Sequence, residues 1–373
     1  MIFLDNASTT RALDSVISSI SDCMKNNYGN ASSLHQMGIN SEQVIRDARS
    51  NVLKLLRASS GRVYFTSGGT ESNNLAILKS INIKSMKNVV TSCIEHSSVI
   101  NCMKELERLG VNIKYLNVLK NFQVNDSDLE NFISEDTNFI SIMHVNNETG
   151  AILPLEKISK LRSKKCPKAI FHVDAVQSFG KIDINVKKLE IDLLSASAHK
   201  IHGPKGLGIL YSSDRIKLSP LMFGGDQQYG IRPGTEPVEL ICGFNKSLLE
   251  CDIKKRYEFV EKLNLYLRNK LSEIDNIVIN SPINSSPYIL NVSILGLKSE
   301  VLINFLSNHQ ICVSSSSACT GNFRSRVLSS ANLPEEIIDS AIRISLSILN
   351  TYDDIDVFIK FLKKAKKELN IRR

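Results

Sequence analysis

Three kinds of side chain stand where chemistry could use them: a lysine among small residues, a carboxylate at the end of an apolar run, and a cysteine within a run of serines. Lys200 closes the stretch SASAHK and leads into IHGPKGLG. Small neighbours let an amine shed its solvating water and lower its pKa, as a Schiff-base lysine requires, although most lysines are simply surface charges. Asp174 ends AIFHVD, with Gln177 close behind it. A carboxylate there could hold a protonated ring nitrogen or merely cap a turn. Ser67-Gly68-Gly69-Thr70-Glu71-Ser72 is a glycine turn opening a helix. Its N–H groups and hydroxyls suit a phosphate, and equally an ordinary N-cap. Cys319, in CVSSSSACTG, lies among small polar residues that form little core, so it reads as an exposed, mobile thiol. The other seven cysteines lie mostly in apolar or helical contexts and read as inert fillers. A thiol protease would need Cys319 joined to a histidine and an orienting Asn or Asp, an arrangement the sequence leaves open.

Other chemistries find less support. There is no GxxxxGK[ST], and Gly206-x-Gly208 has Tyr211 where a dinucleotide fingerprint needs its last glycine. The eight cysteines include no CxxC pair; Cys93-x-x-His96 and His199-x-x-His202 come nearest to metal pairs, and no metal is expected. A net charge of +8 permits acidic partners without indicating them. The densest basic run, KFLKKAKKELNIRR, carries Phe361, Leu362 and Ala365 at helical spacing, so a solvated helix face is expected there and direct nucleic-acid binding is not. No apolar run approaches the ~18 residues of a membrane span. MIFLDNASTT lacks the pattern of a secretory leader, so a soluble, cytoplasmic protein is expected.

These residues need a frame to hold them. With 373 residues and ordinary globular composition, the chain should fold throughout into one or two domains. From Arg62 onward, RVYFT, KNVVTS, VNIKYL, NFISIMHV, AIFHVD, IDLLSAS and GLGILYS read as strands, and 70–82, 97–109, 126–133 and 154–165 as helices between some of them. That alternation predicts an α/β fold with a largely parallel sheet covered by helices on both faces. A charged helical stretch over 236–272 follows. Strand YILNVSIL, helix 298–308, strands ICVSS and AIRISLS and helix 353–369 then predict a smaller α+β unit. Open α/β sheets place ligands beyond the carboxyl ends of their strands, where Asp174, Lys200 and the glycine turn all fall.

Taken together, LDNASTT, FTSGGTESNNLAI, SCIEHSSVI, SIMHVNNETG, HVDAVQSFGK, SASAHKIHGPKGLGILY, IRPGTEPV, VSSSSACT and SAIRISL resemble the cysteine desulfurases of the NifS/IscS type. The resemblance runs from residue 3 to about 350, in order. It implies the fold of type I pyridoxal 5′-phosphate (PLP) enzymes, with a mainly parallel seven-stranded sheet. It further implies a large domain over 12–255, a small one over 1–11 and 256–373 that carries the cysteine loop, a PLP cofactor and a homodimer. Lys200 resembles the lysine that forms the Schiff base and moves the substrate's α-proton, Asp174 the partner of the pyridinium nitrogen, Gln177 the donor to the phenolic oxygen, and His96 the imidazole stacked on the ring. Gly69, Thr70, Ser197 and His199 resemble phosphate ligands, and Thr235 a phosphate contact supplied to the partner subunit. Asn147 and Arg343 resemble the groups that hold the substrate carboxylate. The implied reaction converts L-cysteine to L-alanine, capturing sulfur as a persulfide on Cys319 for an acceptor protein that serves iron–sulfur assembly, tRNA thiolation or another sulfur modification. A selenocysteine or cystine lyase of the same fold, or a catalytically idle interaction protein, is the alternative. Ser316, Asp226 and Ala31 depart from the family's usual residues, and the stretch after Cys319 is short.

Overall fold

The computed structural model describes residues 1–315 and 324–370. In chain order its elements are β1 (Ile2–Phe3), α1 (Asp14–Asn26), α2 (Gln36–Leu55), β2 (Arg62–Thr66), α3 (Gly69–Lys79), β3 (Asn88–Ser92), α4 (Ser97–Arg108), β4 (Asn112–Leu116), α5 (Asp126–Phe132), β5 (Phe139–Met143), α6 (Leu155–Lys165), β6 (Ile170–Asp174), β7 (Leu193–Ser197), β8 (Gly208–Ser212), α7 (Val238–Leu249) and α8 (Ile253–Ser272). There follow β9 (Ile277–Ile279), β10 (Ile289–Ile294), α9 (Ser299–Asn308), β11 (Ile311–Cys312), β12 (Ser314–Ser315), α10 (Arg326–Ser330), α11 (Glu335–Asp339), β13 (Ala341–Ser345) and α12 (Tyr352–Asn370).

Seven strands form one sheet in the order β2-β8-β7-β6-β5-β3-β4. Neighbours from β7 to β4 run parallel, whereas β8 runs antiparallel to both β2 and β7. The sheet is therefore mixed at one edge, as hairpin-like insertion of a late strand permits. Its period-2 side-chain alternation is visible in β2: Val63 and Phe65 enter the core that contains Ile45, Ile158 and Ile241, while Tyr64 enters the opposite one with Leu75, Val99 and Leu210. Helices thus cover both faces, which explains why these strands read as almost unbroken apolar runs.

A second sheet, β12-β13-β10-β9, is antiparallel throughout. The N-terminal segment joins this part of the fold: β1 pairs with β11, and Asp5 bridges Ser345 just beyond them. Leu4 accordingly packs in a third apolar cluster with Val260, Leu290, Leu302 and Phe358.

Three expectations change in detail. The stretch 236–272 is two helices, because the chain turns at Glu250 and Asp252 restarts it by accepting from the Lys255 N–H at 3.1 Å. The run ICVSS is split, with β11 and β12 joining different sheets. The helix after the glycine turn is capped by Gly68 backbone alone, not by the side chain of Ser67 or Thr70.

Candidate active site

The carboxyl ends of β3, β5, β6 and β7 open into a cavity of about 1110 Å³ whose far wall comes from the small sheet. It is lined by Gly69 and Thr70 from the first turn of α3, by His96 and Asn147 from loops that follow strands, by Asp174 and Ser197 from strand ends, by Gln177 from the turn after β6, by His199 and Lys200 from the short turn after β7, and by Arg343 from β13. Ten residues that are scattered over 275 positions of sequence thereby meet in one place. Thr235 does not line this cavity; it is exposed on another part of the surface. Cys319 lies outside the described residues, but Ser315 and Arg324, which flank the stretch 316–323, both line the cavity.

Asp174 is 5% exposed and held on both oxygens. Oδ1 accepts from the Val176 N–H at 3.0 Å, and Oδ2 accepts from Asn73 Nδ2 at 2.8 Å. The same Asn73 amide donates to Ser98 Oγ at 2.9 Å, and Ser98 Oγ lies 2.9 Å from His96 Nδ1. Because the Ser98 backbone N–H also points at His96 Nδ1, at 3.2 Å, that nitrogen is an acceptor and the imidazole carries its proton on Nε2. Burial pushes the His96 pKa below its ordinary value, only partly offset by the Asp174 charge. The ring is therefore neutral and oriented. Asn73 carried no local signal beyond being a polar residue on a helix face that is otherwise apolar.

Lys200 Nζ donates to the carbonyls of Ala7 at 2.5 Å and Ser8 at 2.7 Å. Gln177 Nε2 donates to the same Ala7 carbonyl at 2.9 Å. The amine thus sits at the junction of the two sheets. His199 Nδ1 contacts Thr9 Oγ1 at 3.1 Å, and burial together with the nearby Lys200 charge pushes its pKa down to about 4, so it too is a neutral ring.

An anion has a prepared place at one end of the cavity. Ser197 Oγ is buried and among the described residues has no hydrogen-bond partner, and the open first turn of α3 lies beside it with Gly68 Cα bare. First-turn N–H groups have no partner within the helix. A Cβ on Gly69 would come within 2.6 Å of Val176 Cγ2, so only glycine lets the backbone approach this closely. At the other end Asp174 offers a fixed acceptor. A group with an anionic tail and a protonated ring nitrogen fits the donors and acceptors present.

Glu95, next to His96, was not singled out from sequence. It is fully buried; Oε1 accepts from Ser92 Oγ at 2.5 Å and the Met143 N–H at 2.9 Å, while Oε2 has no hydrogen-bond partner among the described residues. Burial pushes its pKa up to about 8, aided by the Asp174 charge. Arg326, just beyond the stretch that contains Cys319, donates to the carbonyls of Cys93 and Glu95, and Ser325 donates to Glu148 at 2.5 Å. One foot of that stretch is therefore tied to the loops bearing His96 and Asn147.

Comparison with known proteins identifies the family and the fold. The aminotransferase class V family model matches residues 2–358. A cysteine desulfurase IscS of Buchnera aphidicola subsp. Baizongia pistaciae is 39% identical, with 99% of this chain and 93% of that protein covered. Among solved structures, a NifS-like protein superposes with a TM-score of 0.92 at 35% identity, covering 98% of this chain and 99% of the other. SspA in complex with cysteine superposes with a TM-score of 0.83 at 32% identity, covering 94% and 100%.

Proposed function

The chain belongs to the aminotransferase class V family and, within it, to the cysteine desulfurases; from this we propose that it binds PLP in the cavity, takes L-cysteine as substrate and moves its sulfur to Cys319. The observation that carries the reading is the cavity itself: a doubly held Asp174, Lys200 in the short turn after the neighbouring strand, and a Ser197 hydroxyl without a hydrogen-bond partner among the described residues, at the open turn of α3.

When bound, the cofactor supplies an electron sink that makes the substrate's Cα–H and Cβ–S bonds breakable. The chain's residues do the rest. Gly69, Thr70, Ser197 and His199 hold the phosphate, with Thr235 reaching in from a partner subunit. Asp174 keeps the ring nitrogen protonated, Asn73 and the Val176 N–H keep Asp174 in place, and Gln177 donates to the phenolic oxygen. Arg343 and Asn147 hold the substrate carboxylate, for which a planar guanidinium fork is suited. Lys200 would anchor the cofactor and carry the α-proton; the neutral His96, a lining residue of the same cavity, would exchange a proton with the substrate. The Cys319 thiolate forms a bond to the substrate sulfur as the Cβ–S bond breaks, the electron pair stays on carbon, and alanine and a cysteine persulfide result.

A homodimer suits the exposed position of Thr235 and of Phe223, 91% exposed in the same segment. A protein acceptor suits a sulfur parked on a thiol. A reducing, cytoplasmic compartment suits a reaction that needs its nucleophile as free thiol; among the described residues no helix is long and apolar enough to cross a membrane. The division into a domain over 12–255 and one over 1–11 with 256–373 draws support from the cluster that joins Leu4 to Val260, Leu302 and Phe358, while Val327, Leu328 and Ala341 pack with the cluster around Ile241 across that boundary. The test is to incubate the purified protein with PLP and cysteine and to assay alanine and sulfide. Equal yields of the two in the presence of a reductant are expected, and a protein that neither turns yellow with PLP nor releases alanine would refute the reading.

A further inference from the structure

Behind the cavity wall lies a lysine that the reaction has not used. Lys181 is 6% exposed, in the turn that follows Gln177, and its Nζ points back to Gln177 Oε1 at 3.4 Å. On its other side it stands over the Tyr288 ring, 5.4 Å from the centroid. The ionisable groups around it are Lys200 and Arg343 toward the cavity, and His202, Arg256 and Tyr288 around the small void it shares with them. The charges that bear on it, Lys200 and Arg343, are both cationic. Burial, then the charges of Lys200 and Arg343, push its pKa down to about 7. A buried amine without a counter-charge costs stability, and a fold that keeps one has a use for its hydrogen-bonding.

The use is visible in the chain of contacts. Lys181 donates to Gln177 Oε1, Gln177 Nε2 donates to Ala7, and Ala7 also receives Lys200. An amide has two orientations that differ only in which end carries N–H. With a donor on one side and a carbonyl on the other, only one of them leaves no clash of like partners. That orientation puts the Gln177 amino group against Ala7, a residue of the cavity wall. We propose that Lys181 is a positioning residue: it fixes the Gln177 amide so that its donor, and not its acceptor, faces the cofactor's phenolic oxygen. The assignment rests on the PLP reading above and goes beyond it by naming what orients that donor.

The experiment is a double-mutant cycle read by PLP affinity of the apoenzyme, followed by fluorescence quenching, and by the visible absorbance maximum of the reconstituted protein. Lys181→Met and Gln177→Leu are each expected to weaken PLP binding about two- to tenfold, the worth of one hydrogen bond, and to shift the absorbance maximum. In the Gln177→Leu background Lys181→Met is expected to add nothing, since it acts through the amide alone. Lys181→Gln, which keeps an N–H donor, is expected to stay within about twofold of the unaltered protein. Lys181→Ala carries the same cycle should Lys181→Met fail to fold. Additive effects in the cycle, or an unchanged affinity and spectrum in Lys181→Met, overturn the proposal. Failure of the unaltered apoenzyme to bind PLP would instead overturn the reading on which it rests.

Discussion

Arg343 and Asp5 form an ion pair across 338 residues of sequence, with Nη2 2.9 Å from Asp5 Oδ1 and both side chains largely buried. The same nitrogen donates to Ser8 Oγ at 2.6 Å, and Nη1 donates to the Asn147 carbonyl at 2.8 Å, so the guanidinium is fixed before any substrate arrives. Preorganisation of this kind lowers the cost of binding a carboxylate. Arg343→Lys should therefore raise KM for cysteine about 10- to 100-fold, the value of a charge-assisted hydrogen bond or two, with a smaller change in kcat. Asp5→Asn, which keeps an acceptor, should do less than Asp5→Ala. Steady-state alanine production over a range of cysteine concentrations checks both, and an unchanged KM in Arg343→Lys would remove Arg343 from substrate binding.

Lys200→Ala should abolish turnover and the visible band of the lysine-bound cofactor, while PLP still associates through the phosphate end. Asp174→Ala should cost several orders of magnitude in kcat, at ~1.4 kcal/mol per tenfold, because an unprotonated ring is a poor sink. A band that survives in Lys200→Ala would show that another amine makes the link. Activity within a few-fold in Asp174→Ala would free that carboxylate from its role.

The parts of this arrangement that sequence reveals are those with local cause. RVYFT and AIFHVD become β2 and β6 because strands buried on both faces must be apolar at nearly every position. Helices α1 and α2 escaped notice: DSVISSISDCMKN and QMGINSEQVIRDARSNVLKL are rich in Ser, Asn and Asp, poor helix formers, and their helicity comes from packing against α7. The antiparallel insertion of β8 has no local signature either, since GLGILYS reads the same in both directions. In the site, Lys200 and Asp174 announced themselves at strand ends. Asp5, Ala7 and Ser8 did not, because what they do depends on β1 and Asp5 pairing with strands more than 300 residues away.

Cys319→Ser should separate the two halves of the reaction. The cofactor's band should remain and still respond to cysteine, whereas persulfide should vanish and alanine production collapse. Mass spectrometry of the unaltered protein after one turnover should find the added sulfur on Cys319; finding it on Cys93, the half-buried thiol beside Arg326, would reassign the nucleophile.

If Thr235 serves a partner's phosphate site, mixing Thr235→Ala with Lys200→Ala subunits should restore activity, because half-mixed dimers contain one site with neither defect. The check is alanine release after subunit exchange, with exchange verified by native mass spectrometry of differently tagged chains. Mixtures that exchange yet stay inactive would place Thr235 outside the partner's site.

The buried Glu95 sets the pH dependence of stability in a predictable direction. Its pKa is raised from 4.5 to about 8 by burial, so the folded state holds a proton that the unfolded chain releases above pH 4.5, and its contribution is lost as pH rises through about 8. The buried His144, His172 and His202, depressed to about 4, 3 and 4, act in the opposite sense: their contribution is present above the ordinary histidine value and is lost as pH falls toward 4 and below. Glu95→Gln removes only the first of these slopes, and its Oε1 still accepts from Ser92 and Met143. Urea midpoints at pH 6.5 and pH 8.5 should therefore show the variant gaining on the unaltered protein as pH rises, by up to ~1.4 kcal/mol per pH unit. An equal decline in both proteins would mean that Glu95 is already ionised in the folded state, and that the neighbouring Ser92 and Met143 donors outweigh its burial.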